Sequence, residues 1–149
     1  MLSALSKTLF VIAIVIGSLW VAWMATDNGP PFQYLPEEQG SRVVPNPVKQ
    51  EGAVKTEWLL TSVSKDCPRQ IERLYYDRDT GELVTTQDAT PLQTTIRKSS
   101  TQLSRSFDLP PGLPPRVGYR ARACFQCNFL QRLFPICFLS PQLSINIIP

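Results

Sequence analysis

The residues best suited to chemistry in this sequence are its cysteines. Cys124, Cys127 and Cys137 lie close together in the segment YRARACFQCNFLQRLFPICF (119–138), and Cys67 lies far upstream. Thiols at this spacing can exchange disulfides, bind a metal ion or form structural disulfides. The compartment and the elements that hold the cysteines decide among these three kinds of site.

Other catalytic groups are scarce. The 149 residues include no histidine, the commonest general base and metal ligand. There is no nucleophile elbow, phosphate-binding glycine loop or recognisable pair of carboxylates. Basic residues predominate after Ala89, but no platform of aromatic side chains accompanies them, so nucleic acid is not an expected partner. The sequence predicts a protein that is not an enzyme and holds no cofactor or metal.

The N-terminal segment indicates a membrane anchor. Residues 9–25, LFVIAIVIGSLWVAWMA, carry no charge, and Lys7 precedes them. With one threonine at each end the segment approaches the roughly 20 residues that cross a bilayer. The positive-inside rule places residues 1–8 in the cytoplasm, 9–26 in the membrane and the rest outside. A cleaved signal peptide is the alternative, but a cut after Ala25 would place the bulky Trp23 at −3, so an uncleaved signal anchor is favoured.

Small residues on this helix indicate a possible membrane partner. Ala13 with Gly17, and Ser18 with Ala22, are pairs four residues apart. Such pairs let a second transmembrane helix approach closely. We expect the bilayer, and a further transmembrane helix, as contacts of this segment.

The segment that follows has the composition of a stalk. Residues 27–50 carry five prolines and no apolar period. Prolines at this density favour an extended, semi-rigid chain. The sequence therefore predicts a stalk over 27–50 and an exported domain over 51–149.

The exported domain has the pattern of short strands. Its apolar runs alternate, are bounded by turn residues and show no helical period, and the turn DRDTG (77–81) indicates a hairpin. About seven strands are expected, which is typical of an all-β antiparallel sandwich. Their predicted ranges are 53–63, 69–77, 82–86, 94–100, 102–109, 117–126 and 142–148.

The order of certain residues resembles fibronectin type III and related immunoglobulin-like sandwiches over roughly 48–148. The residues that carry the resemblance are Trp58, then Ile71 and Tyr75, then the corner Leu109, Pro111 and Gly112, and finally Tyr119. The resemblance implies that Trp58 packs in the core and that the hydroxyl of Tyr119 hydrogen-bonds back to the backbone. The chain departs from the family by the extra residues LPPRVG (113–118). This fold hosts many functions and implies none.

On such a sandwich the cysteines can be ranked by position. If Tyr119 points inward, strand alternation places Cys124 outward and Cys127 on the core side. A redox pair Cys124–Cys127 would need a thioredoxin-like helix start, and a zinc site two closely spaced pairs. Both stay open as alternatives, but an exported domain favours disulfides. Cys67 and Cys127 lie at the same end of a sandwich, so Cys67–Cys127 and Cys124–Cys137 are the favoured pairings of the three possible.

The loop between the cysteines, NFLQRLFPI (128–136), is unusually apolar. It is either a helical turn folded over the end of the core or an apolar contact patch held rigid by the disulfides. In the second interpretation the binding residues are Phe129, Leu130, Arg132, Leu133 and Phe134.

These expectations combine into a functional hypothesis. The protein is a single-pass inner-membrane protein, N-terminus in the cytoplasm, whose periplasmic sandwich binds a protein partner as a subunit of a membrane assembly. Small proteins of this plan are frequent in bacteriophages and conjugative elements, which makes such an assembly an expectation by analogy. The alternative is an exported thiol–disulfide or metal-handling protein that uses Cys124, Cys127 and Cys137.

Overall fold

The computed structural model describes residues 2–26, 29–61, 63, 67–89 and 101–149. One long helix precedes a domain built mostly from strands. The elements in chain order are α1 (Leu2–Thr26), β1 (Arg42–Val44), β2 (Val48–Lys49), β3 (Ala53–Leu59), β4 (Arg69–Asp77), β5 (Leu83–Ala89), β6 (Gln102–Asp108), β7 (Arg116–Phe125), α2 (Phe129–Leu133), β8 (Ile136–Leu139) and β9 (Leu143–Ile148).

The predicted N-terminal apolar helix is confirmed. Its segment Ser6–Thr26 has a mean hydropathy of 2.2 and is long enough to cross a membrane. Within residues 6–26 only Met24 is buried. An isolated helix with an apolar surface on every side is typical of a segment surrounded by lipid.

The strands form two sheets, as expected for a mostly β domain. The smaller sheet has the order β1-β3-β6 and the larger one β2-β9-β7-β4-β5, with β8 also paired to β7. The described residues contain nine strands, not about seven, because β1, β2 and β8 were not predicted as strands. The predicted strand 94–100 lies outside the described residues.

Residues 30–49 belong to the domain, which corrects the predicted stalk. They carry β1 and β2, and Phe32, Val43 and Val48 are part of the hydrophobic core. Pro45 and Pro47 lie where the chain leaves the smaller sheet and joins the edge of the larger one. Proline is tolerated at such crossings and edges, where a backbone N–H is not needed for the ladder. The same composition that indicated a stalk therefore marks a change of sheet.

The long strand β7 organises the larger sheet. Its first half, residues 116–119, pairs with β9, and its second half, residues 122–125, pairs with β8. Ser140 joins the two halves, since its N–H donates to the Ala121 carbonyl and its Oγ accepts from the Ala121 N–H, each over 2.8 Å. One continuous strand thus holds the loop that bears α2 at one end of the domain.

Aromatic side chains fill the space between the sheets. Trp58 and Tyr119 are both buried, with ring centroids 6.2 Å apart, and Tyr119 also packs on Phe107 and Tyr75. Among the described residues, the Tyr119 hydroxyl makes no hydrogen bond to the backbone and instead lies beside the guanidinium of Arg73. The packing implied by the resemblance is therefore present without the implied backbone bond.

Candidate binding loop and its disulfides

All four cysteines form disulfides. Cys67 is bonded to Cys127 and Cys124 to Cys137, which are the two pairings that the predicted sandwich favours. Cys124 and Cys137 lie directly opposite each other on β7 and β8. Tyr119, Ala121, Ala123 and Phe125 alternate inward along β7 as predicted. A redox site would need Cys124 and Cys127 to act as a pair, but Cys124 is bonded to Cys137 and Cys127 to Cys67.

Metal ligands do not gather in the described part of the chain. No three residues from among histidine, cysteine, aspartate and glutamate lie together there in a way that could hold a metal ion. Since disulfide sulfurs are poor metal ligands compared with thiolates, the cysteine cluster in this oxidised form offers no zinc site.

The loop between the disulfides folds into the short helix α2. Asn128 begins it, since its Oδ1 accepts a hydrogen bond from the Gln131 N–H over 2.9 Å. The Gln131 side chain is buried, and its Oε1 accepts from the Cys127 N–H over 2.8 Å. Two backbone donors at the start of the helix are thereby satisfied by side chains, as in a capped helix. The loop has a defined conformation.

The outer side of this loop carries exposed apolar side chains. Phe129 and Leu133 are each 60% exposed and Phe134 is 75% exposed; we call these three residues the apolar patch. Leu130 is half-buried and Arg132 exposed. A helical turn is present, as the first interpretation expects, and its outer face is apolar. Binding of a partner at this face stays a prediction.

The loop contacts the end of α1. The Met24 side chain is only 4% exposed, and the Asn128 amide Nδ2 donates to the Met24 carbonyl over 3.3 Å. Elements α1 and α2 pack together at this point. No local pattern in the sequence indicates this contact, because its two residues lie 104 positions apart.

The small residues of α1 are exposed. Ala13, Gly17, Ser18 and Ala22 are not covered by any described residue. The Ser18 hydroxyl donates to the Ile14 carbonyl over 2.8 Å, so its hydrogen bond is satisfied within the helix. Nothing on the helix therefore opposes close approach by another helix, and a membrane partner stays a prediction.

A buried arginine at the same end of the domain escaped the sequence analysis. Arg69 is 3% exposed, and its guanidinium lies 5.5 Å from the ring of Phe32. Burial lowers its pKa, and burial also raises the pKa of the nearby Tyr34 hydroxyl. The segment 30–34 that covers this region also lines a groove of about 520 Å³ beside β8. The sequence did not indicate that Arg69 is buried, because the residues that cover it, 30–34, were predicted to belong to a stalk.

The opposite end of the domain presents an exposed edge. Strand β5 pairs with β4, and no other described strand pairs with it. Leu83 and Val84 at its start are 52% and 41% exposed. The turn before it is fixed by Asp77, whose Oδ1 accepts from the Asp79 N–H over 2.7 Å, and by an ion pair between Arg116 and Asp79.

Comparisons with models of known protein families and with curated proteins find no match to this chain. The class of protein is therefore defined by fold and site. It is a two-sheet β domain with two disulfides, joined directly to an apolar N-terminal helix. The disulfides indicate an oxidising, extracytoplasmic environment for the domain.

Proposed function

We propose that this protein is a non-enzymatic, single-pass membrane protein whose exported β domain binds another protein within a membrane-associated assembly. Helix α1 crosses the inner membrane with its N-terminus in the cytoplasm. The domain lies in the periplasm, where the disulfides are stable. A bacteriophage or conjugative assembly is the context that proteins of this plan favour.

The observation that carries the protein-binding role is the open side of β5, which among the described strands pairs with β4 alone. Strand β4 begins beside the loop that contacts α1, since Arg69 pairs with Phe125. Its nine residues extend about 30 Å. Leu83 pairs with Tyr76 near the other end of β4. The exposed start of β5 therefore lies at the opposite end of β4 from the loop that contacts α1, where a partner can reach it.

An exposed strand edge is a common docking surface for a partner strand. Unpaired N–H and C=O groups supply hydrogen bonds, and alternate side chains supply specificity. Leu83 and Val84 are exposed apolar residues at the start of β5, whereas lysine or proline is typical of a protected edge. The register with β4 shifts at Val84, and such a bulge limits pairing at that point. A partner that adds a strand to β5 would cover both.

The test uses Val84→Lys in the full-length chain, with Ser106→Lys as the matched control. Ser106 is exposed on β6, an edge strand of the smaller sheet. The full-length chain is chemically cross-linked to its partner in native membranes, and the amount of partner recovered with it is measured. We expect V84K to lower this recovery at least about tenfold, because strand addition would place a charge in the interface. We expect S106K to leave recovery unchanged. Equal recovery with V84K and the unmodified chain would exclude this edge.

A thiol–disulfide or metal-handling role is the second candidate. The observation in its favour is the exposure of Cys137, which leaves the Cys124–Cys137 bond accessible to an attacking thiol. Mass spectrometry of the unreduced protein, before and after incubation with glutathione, separates the candidates. Two disulfides that resist glutathione favour the binding role, whereas a free dithiol or bound zinc favours the alternative.

A further inference from the structure

We infer that the apolar patch is a membrane foot: Phe129, Leu133 and Phe134 insert into the outer leaflet of the bilayer that α1 crosses. This inference rests on the membrane anchor of the proposed function and adds a second contact with lipid. It assigns the loop 128–136 to lipid and leaves the distant edge at β5 for a protein partner.

The position of the loop along α1 is the first argument. The apolar segment of α1 has 21 residues, and at about 1.5 Å per residue it is about 31 Å long, matching the hydrocarbon thickness of about 30 Å. Met24, which contacts the loop, lies two residues before the helix end at Thr26. The loop therefore lies at the outer boundary of the hydrocarbon. Trp20 and Trp23, residues typical of this boundary, lie in the same last turns of the helix.

The direction of the side chains is the second argument. Phe129 and Leu133 are four residues apart and lie on one face of α2. Gln131 points the other way and is buried, with its Oε1 bonded to the Cys127 N–H. The patch consequently faces away from the core of the domain. Because α2 contacts α1 at Met24, the outward-facing patch lies beside the end of the helix, where α1 leaves the bilayer under the proposed anchor.

The third argument is that the exposure is enforced. Disulfides fix the chain on both sides of the loop, through Cys124 and Cys127 before α2 and through Cys137 after it. The Asn128 cap and the buried Gln131 fix the helix between them. The three apolar side chains cannot turn inward without breaking these bonds. Exposed phenylalanine and leucine in water are unfavourable, so a permanent apolar phase beside them is favoured.

Charge and tethering favour lipid over a protein as the occupant. Arg132 lies between the apolar residues, and no acidic residue follows Asp108 in the chain. This composition suits anionic headgroups at a bilayer surface. The bilayer is also held next to the patch by the same polypeptide, which makes insertion an intramolecular event at high effective concentration.

The test places a benzophenone amino acid in the full-length chain in native membranes and identifies its adducts by mass. The label replaces Phe134 in the patch, Leu19 in α1, or Gln70, an exposed residue of β4 at the same end of the domain. We expect phospholipid adducts at Phe134 and Leu19. The yield at Phe134 should exceed that at Gln70 by at least about tenfold, since burial of one large apolar side chain favours insertion by more than that factor.

The labelled positions give separate answers. Suppose that Leu19 gives lipid adducts. If Phe134 then gives an adduct with another protein or with a second copy of this chain, or no more lipid adduct than Gln70, the foot is overturned and the anchor stays intact. Absence of lipid adducts at Leu19 would overturn the anchor and the foot together.

A second variant tests the patch without relying on the label alone. Leu133→Glu, combined with the label at Phe134, should lower the lipid yield several-fold, because a carboxylate on this face opposes insertion. The matched control Ser106→Glu, at an exposed residue of β6, should leave it unchanged. Intact disulfides by mass verify that both variants are folded. An unchanged yield with L133E would contradict the inference.

Discussion

Buried and half-buried polar side chains at a few positions determine how the strands and the loop of this domain are held. Ser140 bonds both backbone groups of Ala121 where β8 gives way to β9. Gln131 and Asn128 satisfy backbone donors at the start of α2. In each case a side chain supplies a hydrogen bond that the backbone lacks where a strand or a helix begins or ends. A buried donor without such a partner would cost about 1–3 kcal/mol.

The buried tyrosines predict how stability depends on pH. Burial raises the pKa of Tyr34, Tyr75 and Tyr119 above the usual value of 10.0. Above that pH the unfolded chain releases protons that the folded chain keeps, so the free energy of unfolding should fall as pH rises past about 10. Absorbance at 295 nm should show these tyrosines ionising together with unfolding, and Tyr75→Phe should reduce the pH dependence. Normal ionisation in the folded protein would contradict this.

At the scale of elements, the two disulfides close loops of different length. Cys67–Cys127 connects the start of β4 with the end of β7, and Cys124–Cys137 connects the neighbouring strands β7 and β8. Each bond joins neighbouring strands that are already held by backbone hydrogen bonds, since Arg69 pairs with Phe125 and Cys124 with Cys137. The first bond spans a sequence separation of 60 residues and the second a separation of 13 residues, within which α2 lies. We therefore assign the first mainly to stability of the fold and the second mainly to the conformation of the loop.

Removal of each disulfide should reflect this difference. The sequence separations are 60 and 13 residues, for which the chain-entropy relation gives about 4 and about 3 kcal/mol. Cys67→Ala with Cys127→Ala should lower the free energy of unfolding more than Cys124→Ala with Cys137→Ala. Urea denaturation of the full-length protein in detergent measures both, each variant serving as control for the other. The reverse order would exclude the interpretation.

At the scale of the whole molecule, the domain begins directly after the apolar helix α1. Phe32 packs against Tyr34 and Phe125, each with ring centroids 5.3 Å away, and β1 and β2 extend the two sheets. The domain therefore lies close to the end of α1 instead of being raised on a stalk. Under the proposed membrane anchor, this closeness brings the apolar patch to the lipid surface.

The position of Phe32 gives a direct test of this boundary. Phe32→Ala should lower the free energy of unfolding by about 3–5 kcal/mol, because it removes a buried ring and leaves a cavity. The control Leu83→Ala, at a side chain 52% exposed, should change it by about 0.5 kcal/mol or less. Chemical denaturation measures both. Equal, small effects would mean that residues 30–34 do not belong to the folded domain.

Features with a local signature could be predicted from the sequence. The apolar helix is encoded by uncharged residues in one continuous run, and the inward side of β7 by an alternation of period two. The apolar helix was sufficient to indicate an oxidising compartment, because it depends only on neighbours in the chain. The ranking of Cys67–Cys127 with Cys124–Cys137 also needed the assumed arrangement of strands in a sandwich.

What only the tertiary structure decided depends on residues that are distant in sequence. Prolines such as Pro45 and Pro47 fit both an extended stalk and a chain that passes from one sheet to another. The packing of Phe32 against Phe125 shows that this segment belongs to the domain. The contact between Met24 and Asn128 likewise has no local signature. The sequence by itself determined an apolar helix, a β domain and paired cysteines. Packing between distant segments decided where the domain begins and which way Phe129, Leu133 and Phe134 face, because burial is a property of neighbours in space.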